Sequence, residues 1–201
     1  MSPRPRAGGA GRVIAGTAKG RQLLPAGPGT RPLGDRLKEA LFAILEPELR
    51  DRAFLDLFAG SGAAGIEALS RGASTAVFVE RDAGAARILA ANLAATGFAD
   101  RASVVRADAI EWLGRQGPLE GPFAVVFADP PYPEPSLLSS TLRRIETQAR
   151  ARLLAGDGVV VLKHATKADV PAATALLTSV RERRFGETML TFYRWADEVD
   201  A

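Results

Sequence analysis

The chain has 201 residues, 47% hydrophobic and 24% charged, which suits a globular domain with a sizeable core and argues against wholesale disorder. It has no cysteine, which excludes disulfides and cysteine metal sites, and its only histidine, His164, cannot build a metal site by itself. The net charge is a modest +3, and with neither a signal-peptide pattern nor a long apolar span the expectation is a cytoplasmic protein without a membrane partner.

Residues 1–11 carry Pro, Gly and Arg without apolar periodicity and read as a mobile basic arm. Arg12 to Leu24 places two short apolar runs around a glycine-containing loop, most simply a hairpin. Through residue 36 the basic side chains are Arg4, Arg6, Arg12, Lys19, Arg21, Arg31 and Arg36, against the single acid Asp35. Such a cluster suits contacts with a nucleic-acid backbone, although a solvated basic surface gives the same pattern. Leu37, Ala40, Leu41, Ile44 and Leu45 then recur at helical spacing, and Pro47 marks the expected stop. The organisation expected is an arm at 1–11, a hairpin-and-helix extension at 12–46 and a main domain at 47–201.

Beyond residue 52 apolar runs alternate with amphipathic stretches in the βαβ manner. Strands are expected at 53–57, 75–80, 102–105, 123–128 and 158–163, with helices at 63–71, 83–96, 109–114, 136–149 and 168–177. Two closing strands, 179–185 and 188–195, meet at Gly186-Glu187 as a hairpin. The fold class is therefore α/β, a Rossmann-like, doubly wound and mostly parallel sheet with a C-terminal antiparallel hairpin and a small N-terminal hairpin. Its ligands belong outside the strand C-termini.

The stretch Leu55 to Leu69 reads as a buried strand, a glycine turn and a helix start. Gly60, Gly62 and Gly65 have the GxGxxG spacing, where glycines let the backbone turn sharply, approach a ligand and pack a helix on its strand. Glu80 ends the next apolar run, and such an acid can accept hydrogen bonds from ribose hydroxyls. Asp56, on the strand tip before Gly60, would repel a pyrophosphate at the helix N-terminus, so S-adenosylmethionine, which is cationic and lacks phosphate, suits the site better than NAD. Asp56 could equally order the turn through backbone N–H groups, with either cofactor. Asp108 stands at the end of the third strand; it could accept from the adenine amine while Ala109 N–H donates to a ring nitrogen, or it could cap the following helix.

Asp129-Pro130-Pro131-Tyr132 ends the fourth strand at the same edge. The exocyclic amine of a nucleobase is a poor nucleophile because its lone pair is delocalised into the ring. Asp129 and the Pro130 carbonyl are two acceptors that can hold its N–H groups out of the ring plane. Consecutive prolines fix the chain extended without N–H donors, and Tyr132 offers a face for a displaced base.

On these residues the chain resembles a known family. Asp-Pro-Pro-Tyr is the signature of amino-group methyltransferases dependent on S-adenosylmethionine. With Arg12-Val-Ile-Ala-Gly, Lys19-Gly-Arg, Arg31-Pro, Asp35-Arg36 and Asp56-Leu-Phe-Ala-Gly-Ser-Gly, residues 12–195 resemble the bacterial 16S rRNA guanine-N2 methyltransferases, the RsmD family. The pattern departs from the family at Leu33-Gly34, where a hydroxyl residue usually follows Arg-Pro. The resemblance implies that Asp56 and the turn Phe58, Ala59, Gly60, Ser61 and Gly62 border the methionine part of S-adenosylmethionine. Glu80 would bind the ribose, Asp108 with Ala109 would border the adenine, and Arg81 counts among the cofactor-binding residues. Asp129, Pro130, Pro131 and Tyr132 would hold the target guanine. Arg12, Lys19, Arg21, Arg31 and Arg36 would grip 16S rRNA within an assembling small subunit, the enzyme acting as a monomer. A DNA adenine-N6 methyltransferase, a noncatalytic nucleic-acid-binding module and an NAD-linked enzyme stay as alternatives. They are disfavoured by the small basic hairpin, by the paired presence of the acids with Asp-Pro-Pro-Tyr, and by Asp56 respectively.

Overall fold

A computed structural model describes residues 11–27, 33–114, 121–131, 135–149 and 153–196. Residues 1–10 of the arm, Arg31 and Tyr132 lie outside them. In chain order the elements are α1 (Asp35–Leu49), β1 (Ala53–Leu57), α2 (Ala63–Ser70), β2 (Thr75–Val79), α3 (Ala83–Thr96), β3 (Ala102–Val105), α4 (Ala109–Leu113), β4 (Phe123–Ala128), α5 (Pro135–Ala149), β5 (Leu154–Ala165), β6 (Leu177–Phe185) and β7 (Thr188–Trp195). The seven strands form one sheet in the order β3-β2-β1-β4-β5-β7-β6. Neighbours are parallel except where β7 runs antiparallel to both β5 and β6. The strand order reverses between β1 and β4, with Leu57 beside Ala128, and a crevice at such a switch point is where this architecture binds ligands.

The central strands are apolar on both faces because helices cover both; β4 is buried at every position. Gly65 on α2 sits where a Cβ would lie 2.2 Å from the Phe78 ring of β2, so only glycine allows this helix to approach its strand so closely.

The N-terminal segment is bound to this core rather than appended loosely. Its antiparallel closure is a single bridge, Arg12 to Gln22, flanked by Val13 N–H to the Arg21 carbonyl at 2.9 Å. Val13, Ala18 and Leu23 are buried in the same cluster as Leu41, Phe42 and Ile66, each larger side chain contributing roughly 1.5–3 kcal/mol. Polar groups on α2 and α3 fix its register. Glu67 accepts from the N–H groups of Ile14 and Ala15 at 2.8 and 3.0 Å, and Ser70 Oγ from that of Ala18 at 3.0 Å. The Asn92 side chain exchanges hydrogen bonds with the backbone of Leu24 and also donates to the Ser61 carbonyl. Lys38, fully buried on α1, donates to the Arg12 carbonyl, and burial holds its ammonium pKa below the usual lysine value.

Three expected elements differ. Pro47 does not end the first helix, which runs on to Leu49. The proline forfeits one intrahelical bond in the last turn, while Leu45 and Leu49 are both buried by continuing the helix. No helix forms at 168–177: Pro171 interrupts the run, Glu146 of α5 accepts from Thr174 Oγ1 and Leu176 N–H, and Tyr193 Oη donates to the Pro171 carbonyl at 2.8 Å. The fifth strand is longer than 158–163. Its pairing with β4 shifts register after Phe123, so Gly156-Asp157-Gly158 forms an irregularity within the strand rather than a turn before it.

Candidate active site

An open cleft of about 1420 Å³ lies along the C-terminal ends of β1, β2, β4 and β5. One wall is the turn after β1. Phe58 has φ 63°, a conformation uncommon for a non-glycine residue, while Gly60 and Gly62 have φ 56° and 81°. Phe58, Ala59, Gly60 and Ser61 line the cleft; Gly62 instead starts α2, where a Cβ would meet Leu89 at 2.2 Å.

Two carboxylates hold this turn through its backbone. Asp56, 2% exposed, accepts from Gly65 N–H at 2.9 Å, satisfying a free donor of the α2 N-terminus that Gly62, lacking a side chain, cannot cap. Glu80 accepts from Gly60 N–H at 2.7 Å and Asp82 N–H at 2.8 Å. Both acids line the cleft. Burial above all holds the Asp56 carboxyl well above the usual carboxylate range, with Asp129 and Glu80 adding to the effect and the Gly65 N–H opposing it.

Asp108 caps α4, accepting from Ile110 and Glu111 N–H at 2.9 and 3.2 Å, and Arg81 pairs with its other oxygen at 3.7 Å. Arg81, Ala107 and Ala109 border the cleft there.

Across from the glycine turn, β4 delivers Asp129, Pro130 and Pro131 to the cleft. Asp129 N–H reaches the Leu57 carbonyl at 3.4 Å, tying the Asp-Pro-Pro segment to the end of β1. Its carboxylate accepts from Lys163 Nζ at 2.7 Å, with the two side chains 25% and 12% exposed. Burial raises the Asp129 carboxyl pKa, and Lys163 works against that rise by charge and by hydrogen bond. Lys163 is not among the residues the sequence singles out. His164 is buried between the Ala165 carbonyl and Thr191 Oγ1, where burial lowers its pKa. The Asp129–Lys163 pair is set by the β4–β5 register, in which Ala128 lies beside Leu162 and the next residues are Asp129 and Lys163.

The rim is built from both ends of the chain. Pro25, Ala26, Leu33 and Arg36 border it on one side, and Lys167 with the β6–β7 turn on another. Arg12, Lys19, Arg21 and Arg36 are exposed, Arg12 forming an ion pair with Asp35 at 3.4 Å.

The family model "Conserved hypothetical protein 95" matches residues 11–194. YlbH of Bacillus subtilis (strain 168) is 38% identical over 184 residues, 91% of this chain and 98% of that protein. Ribosomal RNA small subunit methyltransferase D of Escherichia coli (strain K12) is 36% identical over 184 residues, covering 91% of this chain and 89% of the enzyme. The solved structure of yhhF from Escherichia coli superposes with a TM-score of 0.81 at 35% identity, covering 94% of this chain and 98% of that one.

Proposed function

The chain belongs to the RsmD family of bacterial small-subunit rRNA methyltransferases, and from that premise we propose that it methylates the exocyclic N2 of a guanine in 16S rRNA. One observation supports the assignment of chemistry more than any other: the Asp129 carboxylate and the Pro130 backbone stand across the sheet's switch point from the glycine turn, in one cleft.

The donors and acceptors of the turn fit S-adenosylmethionine. A pyrophosphate would need the N–H groups at the turn and the α2 N-terminus. Here Glu80 occupies that of Gly60 and Asp56 that of Gly65, so the wall offers carboxyl oxygens rather than free N–H donors, which suits a ligand without phosphate. When bound, S-adenosylmethionine supplies an electrophilic methyl group on a sulfonium. Asp56 and the 58–62 turn would border its methionine part, Glu80 and Arg81 its ribose, and Ala109 with the Asp108 segment its adenine. Asp129 and the Pro130 carbonyl accept hydrogen bonds from the guanine amine, which localises its lone pair and aligns it. Alignment of this kind supplies much of the barrier reduction in such a transfer. We place Arg12, Lys19, Arg21 and Arg36 on the phosphates of 16S rRNA in an assembling cytoplasmic subunit; Arg36 joins the basic hairpin to the cleft rim.

Glu80→Ala should weaken S-adenosylmethionine binding at least about tenfold, the loss of a charge-assisted hydrogen bond of roughly 1.5–3 kcal/mol. Calorimetric titration reads this directly, and unchanged affinity would defeat the assigned pocket. The triple variant Arg12→Ser, Lys19→Ser, Arg21→Ser should weaken rRNA binding and make its salt slope shallower by about 0.7–0.9 for every phosphate that is no longer neutralised. Saturating RNA should restore much of its turnover; binding identical to the parent at several salt concentrations would show the hairpin to be a solvated surface.

A further inference from the structure

We propose that Lys163 is a positioning residue that holds the Asp129 carboxylate by one oxygen and directs the other toward the target amine. The inference rests on the methyltransferase reading above and adds a residue and a pH dependence to it. Lys163 Nζ donates to Asp129 Oδ1 at 2.7 Å, both side chains are largely shielded from solvent, and both line the cleft. The pair joins neighbouring parallel strands one step beyond the Ala128–Leu162 register, so the sheet itself fixes its geometry.

The surroundings make a cation necessary. Asp129 is partly buried, and Asp56 from β1 and Glu80 from the end of β2 are the other acids along the same cleft wall. Desolvation favours a protonated carboxyl, and a protonated Asp129 would offer its O–H as a donor toward an amine that needs an acceptor. Lys163 is the opposing charge from β5. The remaining charged groups of the cleft belong to its rim, Arg36, Lys167, Arg184 and Glu187, and to the cofactor side, where Arg81 pairs with Asp108. Lys163 engages Oδ1, so Oδ2 is the oxygen we assign to the target amine. The sign follows directly: Asp129 acts as the anion, so turnover falls as pH drops through its pKa. Removing Lys163 raises that pKa and moves the loss to higher pH.

The test is single-turnover methyl transfer across pH at saturating rRNA and S-adenosylmethionine. Lys163→Met should shift the acidic limb upward by at least about one pH unit, roughly tenfold slower transfer on the limb, with rates converging toward the parent at high pH. Lys163→Arg should return the limb to its original position. Lys163→Gln, which keeps a hydrogen bond without the charge, covers the case in which the Met variant does not fold, and should also shift the limb. Carboxyl 13C NMR titration of Asp129 reads the same shift without substrate, so a failure of the RNA assignment is separable from a failure of this one. A Met or Gln variant whose limb and Asp129 titration coincide with the parent would overturn the proposal, as would a slowing that is uniform at all pH values.

Discussion

Asp129→Ala should lower turnover by at least about a hundredfold, some 2.7 kcal/mol of transition-state stabilisation, while S-adenosylmethionine affinity changes little. The variant deletes the acceptor that orients the guanine amine and leaves the glycine turn with Asp56 and Glu80 in place. Asp129→Asn is a sharper probe. Its amide oxygen can still accept from Lys163, but the NH2 group would then face the target amine, donor against donor, so the loss should be as large as with Ala. Single-turnover rates beside calorimetric Kd values separate the two effects. Full turnover in either variant would remove Asp129 from the mechanism.

Glu67→Ala should destabilise the fold by about 3 kcal/mol, because it removes a buried charged partner. Glu67 is 1% exposed; it accepts from Ile14 and Ala15 N–H and pairs with Arg71 Nε at 2.8 Å, joining the N-terminal hairpin to α2. Arg71 keeps its ion pair with the exposed Glu46, which limits the cost. For a chain of this size the melting temperature should fall by roughly 6–12 °C. If the hairpin grips RNA, rRNA affinity should fall with it while S-adenosylmethionine affinity holds. A change of less than about 1 kcal/mol in urea unfolding would show that the hairpin does not depend on this anchor.

The parallel core was legible because each of its first four strands is a short apolar run ended by turn residues, and because Gly60, Gly62 and Gly65 each perform a backbone task that their spacing implies. Asp56 was legible only as a pair of options. The structure shows its backbone bond to Gly65 within the same cleft wall, so ordering the turn and bordering the ligand are compatible roles. The misread helix at 168–177 followed from its spacing of Ala, Val and Leu, which Pro171 and the partners of Thr174, Leu176 and Tyr193 outweigh. Lys163 escaped because its partner lies 34 residues away in sequence and meets it only through the β4–β5 register. Glu67, Ser70 and Asn92 escaped for the same reason. Each sits on an otherwise regular helix, and its polarity is explained only by the N-terminal backbone that docks over it.

The most direct measurement is transfer of labelled methyl from S-adenosylmethionine to assembly-stage small subunits, free 16S rRNA and DNA, followed by nucleoside analysis. The expected result is label in N2-methylguanosine from 16S rRNA, lost with Asp129→Ala. Label in N6-methyladenine of DNA, or none in any rRNA guanine under conditions where the protein binds S-adenosylmethionine, would contradict it.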